Sequence, residues 1–230
     1  SATATPRISQ NFALPKAWAA GVRRKSRISI RLEQQMVWQA LESLKRASVT
    51  IIVVDATTGL ADQDMRLMQH IWNSGSGMII ALNKCDTLSK EESKEIEKNI
   101  YRYTQQWDGT PIIKTSFKYK KGISNLKKSI FKVLGSFNVK PKSSYLTKIL
   151  EKSTKTTPPP LSSNKTRVKL RFAFPVGYTP LMIKIMGKQL KSLPSSYKSY
   201  LNRQFRTKLN ITGVPIKLIF ENDSNPYTTK

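Results

Sequence analysis

The chain has 230 residues, enough for one large domain or two small ones, and its 39% hydrophobic share can fill an ordinary core. Forty Lys and Arg against 14 Asp and Glu leave a formal charge of +26, which points to a polyanionic partner, nucleic acid ahead of an anionic membrane surface. No run of 18 apolar residues offers a transmembrane helix, and with Cys85 the single cysteine and His70 the single histidine, these residues exclude an internal disulfide, a Cys/His zinc cluster and a second histidine-based catalytic site.

Residues 1–28 read as an extended basic arm. Pro6 and Pro15 break regular structure, Ser1 to Pro15 is polar and acid-free like the tail of an organelle transit peptide or a simple disordered arm, and Arg23, Arg24, Lys25 and Arg27 cluster before the first helix. That helix is carried by Leu32, Met36, Val37, Ala40, Leu41 and Leu44 at three- and four-residue spacing. The unbroken run Val49 to Val54 predicts a strand buried on both faces, ending at Asp55. A helix over Asp62 to Trp72, a break at Gly75-Ser76-Gly77, and a second buried strand from Met78 to Leu82 ending at Asn83 come next. Glu91 to Gln106 predicts a helix, Pro111 to Lys114 a short strand, and Asn125 to Phe137 another helix. The alternation implies βαβ units around a parallel sheet, with ligands at the carboxyl ends of the strands, where Asp55, Asn83 and Thr115-Ser116 fall.

The register changes after residue 139. A short helix over Ser144 to Lys152 runs into Thr156-Thr157-Pro158-Pro159-Pro160, so residues 140–164 read as a linker. Strands are expected over Arg167 to Phe174, Leu181 to Met186 and Pro215 to Phe220, with a helix from Ser195 to Leu209 for which Ser195 is an available cap. Residues 165–222 therefore predict a small α+β domain and residues 223–230 a tail. Residues 140–230 hold 18 basic and 3 acidic side chains, a denser positive charge than the 22 and 11 of residues 1–139.

One motif carries chemistry. Asn83-Lys84-Cys85-Asp86 is the NKxD form of Ras-like GTPases, and it follows a buried strand as it does there. The Asp86 carboxylate would accept from the ring N–H and exocyclic amine of guanine, the Lys84 stem would lie along the purine, and Asn83 would tie the loop to the phosphate loop. Ser116, after the next strand, sits where such proteins place a serine whose loop amides face the guanine oxygen. The bland alternative is a polar strand-end turn, which Asn and Asp favour in any case. The phosphate half is missing from these residues. No GxxxxGK[ST] occurs, and in Trp18-Ala19-Ala20-Gly21, the candidate DxxG turn, Trp18 stands where the magnesium-binding Asp should be.

Ala20-Gly21-Val22-Arg23-Arg24-Lys25, Glu33-Gln34, Ala40-Leu41, Val53-Val54-Asp55-Ala56, Gln63-Asp64 and Asn83-Lys84-Cys85-Asp86 together resemble the second G domain of the Der (EngA) family of ribosome-assembly GTPases. Pro158-Pro159-Pro160, Leu193-Pro194, Tyr197-Lys198, Tyr200-Leu201 and Gly213, Pro215, Ile216, Leu218 and Phe220 resemble the KH-like domain that follows it. The resemblance implies a partial Ras-like P-loop GTPase-type parallel sheet (29–139, degenerate) followed by a small α+β KH-like domain (165–222). It implies a role in large-subunit ribosome maturation, with rRNA and ribosomal or assembly proteins as partners, no membrane, and a monomer within a large complex. The mitochondrial matrix is the expected location, with plastid and bacterial cytoplasm as alternatives. Catalytic residues and a resident metal are not expected. Asn83, Lys84, Asp86 and Ser116 are a vestigial guanine site, Phe117 stands where the family has a small residue, and this chain alone is expected not to hydrolyse GTP. The alternative is a fragment of an active GTPase that uses GTP or GDP with magnesium through a phosphate loop elsewhere in a longer chain. None of the ten glycines forms the GxxG clamp of ordinary KH domains. RNA contact is therefore expected through Arg23, Arg24, Lys25 and Arg27, through Lys165, Arg167, Lys169 and Arg171 on alternate positions of a strand, and through Lys198, Arg203 and Arg206 on a helix. A merely solvated charged face is the alternative there, and Tyr197 and Tyr200 read as core packing ahead of base stacking.

Overall fold

The computed structural model describes residues 47–160 and 168–223. The expected arm over 1–28, the helix of Leu32 to Leu44, and Lys165 and Arg167 lie outside those residues. The chain is α/β. A three-stranded parallel sheet, β1 (Val49–Asp55), β2 (Gly77–Asn83) and β3 (Ile112–Lys114), is followed by a second three-stranded sheet, β4 (Lys169–Tyr178), β5 (Leu181–Lys188) and β6 (Ile216–Asn222). The helices are α1 (Asp62–Ser74), α2 (Lys90–Thr104), α3 (Ile123–Phe137), α4 (Ser143–Thr156) and α5 (Ser195–Leu209).

β2 is the middle strand of the first sheet, and Met78 to Leu82 are sealed from solvent on both faces, as their continuous apolar run predicts. β1 and β2 run in register from Val49 opposite Gly77 to Asp55 opposite Asn83, so the two strands stop level with each other and deliver both polar residues to one edge. The intervening helix α1 ends on Gly75 at φ +88°, the left-handed conformation that glycine adopts without a Cβ penalty. Ser89 caps α2 reciprocally with Glu92: the Glu92 N–H donates to the Ser89 hydroxyl, and the Ser89 N–H to the Glu92 carboxylate.

In the second half β5 is central, antiparallel to β4 and parallel to β6. Leu181, Ile183, Ile185 and Gly187 are buried on one face of β5, packed in one core with Leu146, Ile149 and Leu150 of α4 and Leu201, Phe205 and Leu209 of α5. Tyr197 and Tyr200 pack as core residues. Their rings stand 5.5 Å apart, and their hydroxyls donate to the carbonyls of Thr157 and Ser153, fastening α5 to the end of α4. Pro194, not Ser195, is the N-cap of α5, and no side chain caps that end. The helix expected over Ser144 to Lys152 runs from Ser143 to Thr156, because its face of Leu146, Ile149, Leu150 and Ser153 is buried throughout.

The two halves share a core. Ile79, Ala81, Leu126 and Val133 belong to the same buried cluster as the α4, α5 and β5 residues. Gly213 fastens the junction: its N–H donates to the Gly109 carbonyl at 2.8 Å, and its carbonyl accepts from the Met78 N–H at 2.7 Å. Its φ is +66°, and a Cβ there would stand 2.7 Å from a Val133 methyl and 2.8 Å from the Met78 carbonyl oxygen. Gly213→Ala is expected to cost about 2–4 kcal/mol, from the left-handed backbone and the clash together. Urea denaturation monitored by tryptophan fluorescence and far-UV circular dichroism should show both signals moving together to a lower midpoint. A separate, unshifted transition for either half would contradict the shared core.

Candidate guanine-recognition turn and nucleic-acid interface

The guanine turn is assembled from three strand ends. Thr115, just past β3, binds β2 twice, its N–H and hydroxyl both donating to the Leu82 carbonyl at 2.7 and 3.0 Å. The Cys85 N–H donates to the Thr115 carbonyl. Asn83 then reaches across, its side-chain oxygen accepting from the Phe117 N–H at 3.0 Å. Asn83 is thus tied to the serine loop, where the expectation was a tie to a phosphate loop. Lys84 adopts φ +64°, which folds the turn back. Its ammonium reaches Asp55 at 2.6 Å, and the Thr57 N–H and hydroxyl donate to the other oxygen of that carboxylate at 3.0 and 2.7 Å. Partial burial pushes the Asp55 carboxyl up, but Lys84 and Thr57 outweigh that effect and hold it below its ordinary value. Burial likewise pushes the Cys85 thiol up.

Asp86 is exposed, and its carboxylate takes no hydrogen bond or ion pair from the described residues. It is free to accept two donors from a purine edge. Ser116 is buried, and its N–H already donates to the Lys121 carbonyl. The Phe117 ring rests half-buried against the core. The Phe117 amide is committed to Asn83, so a guanine carbonyl drawing on it would compete with that bond. Thr115 falls with Ser116 at the strand ends as expected, whereas Thr57 was not legible as a member of this site, because a threonine just past a strand end is ordinary.

The predicted RNA-contact residues scatter. Lys169 is exposed on β4 opposite Lys188. A β-bulge between Leu170 and Phe172 leaves Arg171 as the extra residue, which ends the strict alternation that should have aligned it with Lys169. Arg171 is exposed and paired with Asp223 at 3.2 Å. Lys198 lies 5.4 Å from the Phe220 ring, and exposed Arg203 reaches Asp108 at 3.3 Å. Arg206 departs from the expected surface role. It is 5% exposed, its guanidinium lies 5.4 Å from the Trp72 ring, and one Nη donates to the Val214 carbonyl at 2.8 Å. Burial lowers its pKa to about 10, with Asp108 partly offsetting. Trp72 supplies an aromatic face that helical spacing on α5 cannot reveal. With Lys198, Arg203 and Asn202 it lines a cavity of about 390 Å³ between the halves.

A parallel sheet whose strand ends build an NKxD turn, joined to a small α+β unit, is the arrangement of a GTPase-type domain followed by a KH-like domain. The Elongation factor Tu GTP binding domain family matches residues 37–157, and the KH-domain-like C-terminal domain of EngA bacterial GTPase enzymes matches residues 140–221. GTPase Der of a Psychrobacter species (strain PRwf-1) is 37% identical over 214 residues, and GTPase Der of Legionella pneumophila (strain Lens) 38% identical over 212. Each alignment covers 92% of this chain, but 44% and 46% of those proteins, so the chain spans less than half the length of these relatives. The chain belongs to the Der (EngA) family. Among solved structures, Era of Aquifex aeolicus bound to GDP and AlF4− aligns with 86% of this chain and 73% of its own at 20% identity and TM-score 0.42, too loosely to argue from. These relatives are bacterial and lend no support to a mitochondrial location.

Two outcomes check this geometry. Arg206→Ala should lower stability by about 2–4 kcal/mol, because it uncovers Trp72 and leaves the buried Val214 carbonyl unpaired. If RNA affinity fell and the melting temperature did not, the buried reading would be wrong. The Asp55 carboxyl has a lowered folded-state pKa, so the Lys84–Asp55 tie contributes fully above the ordinary carboxylate range near 3.8 and is lost only as the pH falls below it. Asp55→Asn should abolish that step and raise amide hydrogen exchange at Thr57 at neutral pH; unchanged exchange would show that the pair does not hold the turn.

Proposed function

We propose that the chain binds large-subunit ribosomal RNA, as an assembly factor or a ribosome-associated protein, and does not hydrolyse GTP by itself. One observation carries the proposal: 230 residues of net charge +26 hold an NKxD turn fastened to the neighbouring strand ends and no GxxxxGK[ST] loop to hold phosphates. Membership of the Der family supports a ribosomal context, with ribosomal or assembly proteins as neighbours and a monomer in a large complex. Lys169, Arg171, Lys198 and Arg203 serve as phosphate contacts, each exposed or half-exposed, with Arg171 and Arg203 exchanging an intramolecular carboxylate for an RNA phosphate.

A second reading has its own support. The turn is ordered, and Asp86 is left free, as an active guanine site requires. In that reading the chain is part of an active GTPase, and GTP or GDP with magnesium binds through a phosphate loop elsewhere in a longer chain. Asn83, Lys84, Asp86 and Ser116 would then hold the base, while the nucleotide's phosphates and magnesium would rely on residues beyond these.

Titration with fluorescent GDP and GTP, with magnesium and an ATP control, separates the two. The proposal expects no saturable guanine binding, while labelled rRNA fragments bind with an affinity that falls steeply with salt. Tight guanine-selective binding that disappears in Asp86→Ala would overturn it in favour of the second reading.

A further inference from the structure

Between Asp108 and Glu151 the chain runs 42 residues without one acidic side chain and carries ten lysines. Six of these fall together on one stretch of structure: Lys118, Lys120 and Lys121 in the loop after β3, and Lys127, Lys128 and Lys132 on α3. All six are exposed, and none forms an ion pair with a described residue. Elsewhere a minority of the described cations are paired, among them Lys114 with Glu97 and Lys184 with Glu221. Two large rings stand among the six in solvent, Tyr119 at 55% and Phe131 at 64% exposure.

The loop is pinned. Ser116 and Lys121 exchange both backbone hydrogen bonds, and the Lys120 N–H donates to the Phe117 carbonyl. Lys120 holds φ +54°, a conformation disfavoured for a side chain of its kind. Gly122 at φ +79° turns the chain directly into α3, since a Cβ there would overlap the Lys114 carbonyl. The ammoniums of Lys118 and Lys121 lie 5.1 and 6.0 Å from the Tyr119 ring. On α3 the opposite face, with Leu126 and Val133, is buried in the core, which turns Lys127, Lys128, Phe131 and Lys132 outward. No acidic residue stands in the first turn of α3, so its positive helix end adds to the lysines.

We infer that the loop Phe117–Lys121 and the outward face of α3 form a second RNA surface, made for single-stranded RNA, with the lysines on phosphates and Tyr119 and Phe131 under unstacked bases. This rests on the RNA-binding reading above and adds a site distinct from β4 and α5. The charge calls for a polyanion. The exposed rings select a single strand, because a duplex keeps its base faces stacked. From Ile123 to Lys132 α3 rises roughly 14 Å, the length of about four stacked nucleotides.

The test uses the whole chain with a labelled single-stranded RNA and a duplex of equal length. Replacing three phosphate-binding lysines (Lys127→Gln, Lys128→Gln and Lys132→Gln together) should reduce the salt slope on the single strand by about 2, which at 0.1 M salt is roughly a 100-fold loss of affinity. Phe131→Ala should weaken the single strand about fivefold or more, leaving duplex binding and the salt slope as they were. Every variant is read beside its melting temperature, which these solvent-facing changes should leave alone. If the triple variant binds as the parent does while Lys198→Gln with Arg203→Gln binds less well, this surface is refuted and the RNA-binding reading stands. If Phe131→Ala changes nothing, the single-strand preference is refuted. If the parent binds no RNA but binds phosphatidylserine vesicles, both readings fall together.

Discussion

The junction at Gly213 is the contact on which the rest of the molecule depends. One residue with no side chain donates to the loop after α2 and accepts from the Met78 N–H near the start of the buried β2 strand. Its backbone passes where any Cβ would collide with Val133 or with β2 itself. Because of that close approach, the core of the parallel sheet continues into the core of the second sheet. β2 is thereby held along both edges and at its start, and its far end, Asn83, becomes a fixed point around which the guanine turn is arranged. The basic faces of α3 and α5 stand on the same packed body.

The parallel sheet was legible because continuous apolar runs bounded by polar residues have one economical solution in a small α/β chain, although β1, expected to be buried on both faces, leaves Val53 38% exposed and buries fully only Ile52 and Val54. The turn was legible for a related reason. Asn83 and Asp86 have side chains suited to strand-end turns, and their place after a buried strand gives them chemistry. Other features were hidden because they depend on neighbours remote in sequence. Arg206 reads as one more surface cation on a basic helix, until Trp72, 134 positions earlier, covers it. Arg171 reads as the third member of an alternating basic row, until a bulge takes it out of register and Asp223 pairs with it. The extent of α4 was underestimated because its burial face is completed by β4 and α5, which follow it in the chain.

Charge and fold play separate parts. Fold explains why Asp55, Asn83 and Ser116 meet at one edge, and it explains little about partners. Charge explains partners, but only where side chains are free. Of the residues first expected to touch RNA, Arg206 is enclosed, Arg171 and Arg203 are matched with carboxylates, and Lys198 lies against an aromatic ring. Lys127, Lys128 and Lys132 on α3 have no ion-pair or ring partner among the described residues. Unpaired positive charge thus stands on the half of the chain that carries the NKxD turn as well as on the second sheet's half.

The central claim is that this chain acts on large-subunit ribosomal RNA through its own basic faces. Ultraviolet crosslinking of the intact protein in its native cells, with sequencing of the attached RNA, tests it most directly. The account predicts crosslinks concentrated at discrete positions of large-subunit rRNA, depleted when the α3 lysines are replaced. Crosslinks spread over unrelated RNAs, or confined to the small subunit, would contradict it.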